Sequence, residues 1–267
     1  MKRITLLSTL LVSLAALAGG TANLVLSYGG SFDPFFADVV LLMHYEGTDG
    51  EFDPADFIDD SLLAHTFTTG VVGSPQIDTA QFKFGVSSGL YAIVGGGPGL
   101  DVTGSNTLDL GTMDFTIEGW VRFRSVSPQQ LFIAQYSFID GNRAWWFRLE
   151  TGPNLEFGYS PTGFSAGDVL VTRSWTPSIN TWYFVTVCRS GADLRLFVDG
   201  VQLGTAHNIG VTSMGSSTDN WVLGAFFATT ANTVQITDGW LDDWRFTRGV
   251  GRYTANFTPP AAAFPDQ

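Results

Sequence analysis

The 267-residue sequence has one cysteine, three histidines and few charged side chains, and each shortage removes a class of chemistry. A single Cys188 cannot close a disulfide within the chain, nor build a zinc or iron–sulfur site from several cysteines. It lies in the apolar run WYFVTVCR, as expected of a buried structural thiol, since a reactive one needs a cationic neighbour. His44, His65 and His207 stand in unrelated contexts, without metal-ligand spacing. Against 25 acidic residues there are only 13 Lys plus Arg, a net charge of −12. That field repels nucleic acid and anionic membrane surfaces, which need basic residues to neutralise phosphates. It does suit divalent cations, which take carboxylate and carbonyl oxygens. Sustained helical periodicity and repeats of fixed period are also missing, which excludes solenoids and propellers. No Gly-x-Ser-x-Gly elbow occurs. Gly95-Gly96-Gly97 lacks the Lys-Ser/Thr of a phosphate loop and reads as a turn.

What remains is rich in apolar and turn-forming residues. Hydrophobic residues make up 45% and charged residues 14%, which is the composition of a folded chain. The 31 glycines and 22 phenylalanines suit short strands joined by tight turns. At the N-terminus a basic Met-Lys-Arg precedes an apolar stretch from Ile4 to Leu17 and small residues before Ala22. This is the pattern of a secretory signal and is too short for a comfortable membrane span. A retained segment that docks on a neighbouring subunit fits the same residues. Residues 1–37 are accordingly expected to be a hydrophobic leader or anchor with a connector, and residues 261–267 a tail.

Between them the texture is uniform. VVLLMHY (39–45) is a continuous apolar run, as in a strand covered on both faces. FTIEGWVRF (115–123) alternates, with Phe115, Ile117, Val121 and Phe123 on one face and Thr116, Glu118, Trp120 and Arg122 on the other. TWYFVTVCR (181–189), WVLGAFF (221–227) and GWLDDWRFTR (239–248) also read as strands. In DLRLFVDGVQLG, Leu194, Leu196 and Val198 line one face, and Asp199-Gly200 supplies a two-residue hairpin turn. Strands at this spacing predict an all-β fold, an antiparallel β-sandwich or a barrel.

These runs together resemble the laminin-G-like, concanavalin A-like jelly rolls of bacterial and bacteriophage type. The matching segments are VVLLMHYEGTDG, FIDDS, AQFKFGVSSG, GTMDFTIEGWVRF, NTWYFVTVCRSGADLRLFVDGVQLG and GWLDDWRFTRGVGRYTANFTPP. The resemblance covers residues 38–260 and implies two stacked antiparallel sheets with loops at the rim. Members bind glycans, proteins or virion components, and the fold alone does not fix which. The expected function is a non-catalytic adhesion or decoration module on an extracellular or virion surface, with glycan or a neighbouring surface protein as partner. A secreted lectin-like protein with a cleaved signal, or a structural subunit that self-associates as a homo-oligomer, are the alternatives.

Catalysis of the related hydrolases needs two carboxyl groups about 5–5.5 Å apart on one strand face. FTIEGWVRF offers only Glu118, with Trp120 and Arg122 at the alternate positions. Asp242 and Asp243 are adjacent and so should point to opposite faces. The chain is therefore expected not to be an enzyme and to require no cofactor. The resemblance does imply a possible structural calcium, with Glu46, Asp49 and Asp242 as candidate ligands; the competing role for these carboxylates is turn capping and pairing with Arg245 or Arg248. Asp49, Glu51 and Asp53 begin like a calcium loop, but Pro54 stands where an EF-hand needs glycine.

Sugars present apolar ring faces, which exposed aromatics cover while polar groups read the hydroxyls. The candidate glycan-binding residues are Trp145, Trp146, Trp120, Tyr136 and Arg148, with Trp221 and Phe227 weaker. Trp145 and Trp146 are consecutive and must face opposite ways on a strand. Arg143, Arg148, Arg189 and Arg195 could read acidic sugars, or could pair with Glu118, Glu150 and Asp193.

Overall fold

Alternating apolar residues let each strand bury one face, and the chain stacks two antiparallel sheets through those faces. The computed structural model describes residues 32–69, 75–92, 99–136, 141–227 and 234–267. The leader up to residue 31, the Gly95-Gly96-Gly97 turn and the side chain of Phe227 lie outside the described residues.

The first sheet has nine strands. Its order is Val201–Gln202, Asp193–Val198, Trp182–Ser190, Phe115–Phe123, Gly239–Arg248, Ser88–Tyr91 and Gln76–Asp78. Val39–Met43 also pairs with Gly239–Arg248, and His207–Asn208 with Asp193–Val198. The second, seven-stranded sheet runs Val169–Ser174, Asn154–Tyr159, Arg143–Glu150, Gln130–Tyr136, Trp221–Leu223, Leu100–Val102 and Phe67–Thr69. The two-residue turn forms as the sequence predicts: Asp199 (φ 48°) and Gly200 (φ 75°) join strands whose Val198 and Val201 pair directly.

WVLGAFF does not form a single strand, because Gly224 takes φ +75°. Trp221–Leu223 stays in the second sheet, while Ala225–Phe227 pairs with Val234–Ile236 in a small separate ribbon. A Cβ at Gly224 would stand 1.9 Å from the Tyr91 ring, so only glycine fits the break.

Phe115, Ile117, Val121 and Phe123 enter the core between the sheets, where Phe115 meets Phe157 at 5.5 Å and Phe132 meets Trp244 at 5.7 Å between ring centroids. The opposite face of the first sheet is buried too. Val39 and Leu42 join Trp120, Phe184 and Phe264 in a second apolar cluster, so Val39–Met43 is covered on both sides as its unbroken apolar run predicts. Phe264 lies beyond residue 260, and Asp33 before residue 38. The compact unit therefore runs Ser31–Gln267, wider than the 38–260 expected, and the tail is part of the domain.

A charged network fastens this cover. Arg245 donates to Glu118 Oε1 (3.0 and 2.6 Å) and to Asp33 Oδ2 (2.8 Å). Arg252 grips both oxygens of Asp33 (3.0 and 2.7 Å), and the Tyr253 hydroxyl donates to Glu118 Oε2 (2.8 Å). Glu118 and Asp33 balance Arg245 and Arg252, so the buried charges cancel. Burial pushes Asp33 upward, but the bond from Arg252, the Phe35 amide and the charges of Arg245 and Arg252 outweigh it and hold the carboxyl below its ordinary value. Removing one partner leaves the other charges buried without compensation. Glu118→Ala is expected to cost roughly 3–5 kcal/mol in urea unfolding. A loss below about 1 kcal/mol would mean that the network holds nothing.

Candidate functional site

The tail covers part of the outer face of the first sheet, and a further group of polar and aromatic side chains gathers on the outer face of the second. Leu155, Phe157 and Tyr159 turn inward from their strand, so Glu156 and Gly158 turn outward. On the neighbouring strand Trp145, Phe147 and Leu149 are core, leaving Trp146, Arg148 and Glu150 outside. Register then sets the contacts: Trp146 faces Gly158, Arg148 faces Glu156, and Thr172 faces Glu156 from the other side.

Glu156 is the junction. Its Oε1 accepts from Trp146 Nε1 (3.0 Å) and Arg148 Nε (2.9 Å), and its Oε2 accepts from the Thr172 hydroxyl (2.9 Å). Arg148 also pairs with Glu150. A Cβ on Gly158 would come within 2.0 Å of the Trp146 ring, so glycine there lets the indole lie against the strand. Tyr136 meets Trp146 edge-on at 4.8 Å, and the Arg143 guanidinium lies 5.0 Å from the Tyr136 ring. Arg143 Nη1 donates to the Tyr136 hydroxyl and, at 3.0 Å, to Asp168 Oδ2. Phe164 and Leu170, both more than half exposed, stand on the neighbouring loop and strand.

The structure brings together three of the five glycan candidates, Tyr136, Trp146 and Arg148. Trp146 is only 6% exposed, so it floors the site and does not offer an open stacking face. Trp145 points into the core between the sheets, 0% exposed, which removes it as a ligand residue while confirming that the consecutive tryptophans face opposite ways. Trp120 is also removed: Lys83 Nζ sits 3.8 Å over its ring, and Phe84, Phe184 and the tail enclose it. Trp221 is core. Arg195 pairs with Asp193 as expected, whereas Arg189 is buried against the carbonyls of Gly111, Gly210 and Thr212. Glu156, Thr172 and Asp168 were not anticipated. The alternation of NLEFGY was the available signal for Glu156; the other two depend on pairing between strands, which a sequence does not print.

A second polar recess, a cavity of about 300 Å³, lies where the tail crosses the first sheet. His44, Glu46, Asp242, Asp243 and Asp266 line it. Asp242 and Asp243 do not point to opposite faces as expected. A register shift between Asp242 and Arg245, with Asp243 at φ 50°, turns both carboxylates to the outer side while Leu241 and Trp244 stay in the core. Asp242 Oδ2 accepts the amides of Lys83 (2.6 Å) and Phe84 (3.1 Å); Asp243 accepts from Phe264 N and from His44 Nδ1 (2.6 Å). Burial raises Asp242 to about 8, its two amide bonds opposing and the nearby Asp243 and Glu46 charges reinforcing the shift.

Of the calcium candidates, Glu46 and Asp242 share this recess, but Asp49 binds Thr79 elsewhere. Glu46 spends both oxygens on the Val86 amide. Among the described residues no three His, Cys, Asp or Glu side chains converge to hold a metal ion, so the proposed calcium trio does not fit. Asp53 instead caps a 3₁₀ turn at Pro54–Asp56. Cys188 is buried, with burial pushing its thiol up, as expected of a structural cysteine. No helix among the described residues is long and apolar enough to cross a membrane.

Two antiparallel sheets stacked through a largely apolar interior define a concanavalin A-like jelly-roll domain. The sequence profile of the Concanavalin A-like lectin/glucanases superfamily (Laminin_G_3) matches residues 94–250, and the chain belongs to that family. No curated protein matches the sequence. Among solved structures, the binding domain of Botulinum neurotoxin DC in complex with rat synaptotagmin II has a TM-score of 0.57 and 12% identity, over 81% of this chain and 49% of that one. A structure of botulinum neurotoxin type C, whose cell entry depends on two ganglioside molecules, scores 0.54 at 13% identity over 80% and 48%. Domain 4 of a GH43 extracellular arabinanase from Geobacillus stearothermophilus, in complex with arabinotriose, scores 0.53 at 12% identity over 80% and 95%. The chain thus spans about half the length of the neurotoxin chains. At these identities the likeness is one of fold.

The raised carboxyl of Asp242 has a measurable sign. Between the ordinary carboxylate range and about 8, the folded chain holds a proton that the unfolded chain has released. Stability from this group is therefore complete in acid and declines as pH rises, by up to about 1.4 kcal/mol per pH unit, levelling off above 8. Asp242→Asn keeps an acceptor for the two amides but cannot ionise. Its stability relative to wild type is expected to rise from pH 5 to pH 8 in parallel urea titrations. Curves that stay parallel would show that Asp242 ionises normally.

Proposed function

We propose that this chain is a non-catalytic surface module that binds glycan on the outer face of its second sheet, over Tyr136, Trp146 and Arg148. The observation that carries this reading is the constellation itself. An indole and two guanidinium groups are held by carboxylates, with a phenol packed between them, on a face bordered by exposed Phe164 and Leu170. Apolar surface for a sugar ring and polar groups for its hydroxyls meet there. The arabinotriose complex and the ganglioside-dependent neurotoxin support the choice of ligand class, because both use folds like this one. The non-catalytic assignment is supported by the state of Glu118, which is ion-paired to Arg245 and sealed under the tail. The signal-like stretch Ile4–Leu17 supports a place on an extracellular or virion surface, in adhesion or decoration.

The test is an array of bacterial and algal polysaccharides probed with the full chain, followed by titration of the best ligand. Tyr136→Ala, which removes a half-buried ring, is expected to weaken binding roughly 3–10-fold with an unchanged circular dichroism spectrum. Arg195→Ala, on the other sheet, should leave affinity unaltered. A wild-type chain that binds nothing on the array, or a Tyr136 variant that binds normally, would refute the assignment.

A further inference from the structure

The charge on this face points to a narrower ligand class than glycan in general, an inference that rests on the glycan reading above. Acidic sugars are ordinarily read by arginine, through two parallel bonds to a carboxylate or sulfate. The described face carries two such groups, and both are engaged. Arg148 is committed to Glu150 and Glu156, and Arg143 to Tyr136 and Asp168. Glu150, Glu156 and Asp168 therefore stand against Arg143 and Arg148, and further along the same sheet Asp101 adds another carboxyl close enough to feel Asp219. The face is negative.

One atom asks for a donor. Asp168 gives Oδ2 to Arg143, while its buried Oδ1 has no hydrogen-bond partner among the described residues. A buried acceptor without a partner is uncommon and is satisfied by an O–H or N–H brought to it. A sugar hydroxyl can donate there once the partly exposed carboxylate turns its Oδ1 outward; a uronate carboxylate or a sulfate ester has only acceptors and would meet like charge.

We propose that the outer face of the second sheet selects neutral saccharides and rejects acidic ones, and that Asp168 is a specificity-determining hydroxyl acceptor beside Tyr136. The carboxylates have two tasks. They hold the guanidinium groups in fixed positions, and they make the site hostile to anionic sugars. Discrimination of this kind comes from a repulsive element as much as from an attractive one.

The experiment compares neutral and acidic polysaccharides on the full chain by affinity electrophoresis, at low and at high salt. Among the binders, each neutral ligand is matched with a form oxidised to carboxylate or sulfated. The neutral form is expected to bind at least roughly tenfold more tightly at low salt, with the gap narrowing as salt screens the repulsion. Asp168→Asn should weaken the neutral ligand roughly tenfold and tighten the acidic one, because one carboxylate charge leaves the face beside Arg143. Asp49→Asn, which removes the same charge from a distant loop, should change neither. A merely structural Asp168 would move both ligands in the same direction, which would overturn its assignment. Preference for acidic polysaccharides, lost in Tyr136→Ala, would overturn the selectivity while leaving the glycan site standing. Absence of binding to either class would overturn the glycan reading, and the selectivity with it.

Discussion

Two arginines and two carboxylates buried outside the core hold the rest of the structure in place. Glu118 belongs to the central strand Phe115–Phe123, Arg245 to the closing strand, Asp33 to the entry segment and Arg252 to the exit. Three stretches far apart in sequence, around Asp33, Glu118 and Arg245–Arg252, thus meet at one charge-balanced point. Such a network contributes little net stability compared with apolar residues of the same shape, but it cannot be half assembled. The closing segment follows from it. Once Arg252 and Tyr253 are fixed, the chain is led back across the sheet, Tyr253 stacks on Phe257 at 3.6 Å, and Phe264 arrives over the Arg245 guanidinium at 3.8 Å. Asp33 N finally donates to the carbonyl of Gln267 at 3.1 Å, bringing the entry and the exit together.

This arrangement makes the two sheets unequal. Sheets in a sandwich ordinarily keep one polar, solvated face each. Here the outer face of the first sheet is itself a small core, with Trp120 and Phe184 beneath the tail. The second sheet carries its own outer group of polar and aromatic side chains, Tyr136, Trp146, Arg148 and Glu156, set side by side along the strands, while Arg122, Trp182 and Trp240 stay partly exposed on the first.

Much of this was legible in the sequence because it depends on local periodicity. The alternation of FTIEGWVRF placed Phe115, Ile117, Val121 and Phe123 in the core, and Asp-Gly at 199–200 marked the hairpin turn. The consecutive tryptophans had to diverge, but which one was core depended on the register with Asn154–Tyr159, where Gly158 makes room for Trp146. Trp120 was misjudged for a different reason. Its strand looked two-faced, and nothing local announced that residues about 140 positions later in the chain would cover the polar-looking side. The paired carboxylates of Asp242 and Asp243 were misplaced because strict alternation was assumed across a bulge; a single residue at φ 50° is enough to put neighbours on the same side.

The same logic of pairing explains why the open face can be both charged and ordered. An arginine held by one carboxylate at the surface is mobile, and the pair contributes little. Arg148 is held by two, and one of these, Glu156, is itself fixed by Trp146 and Thr172 from adjacent strands. Every polar atom of that junction then has a position set by the sheet, so ordering it at the moment of binding costs little entropy. The junction also settles the sign of the site. In the site proposed above the guanidinium groups are consumed in building the junction, which leaves acceptor oxygen and ring surface, a match for a partner with hydroxyl donors and an apolar face.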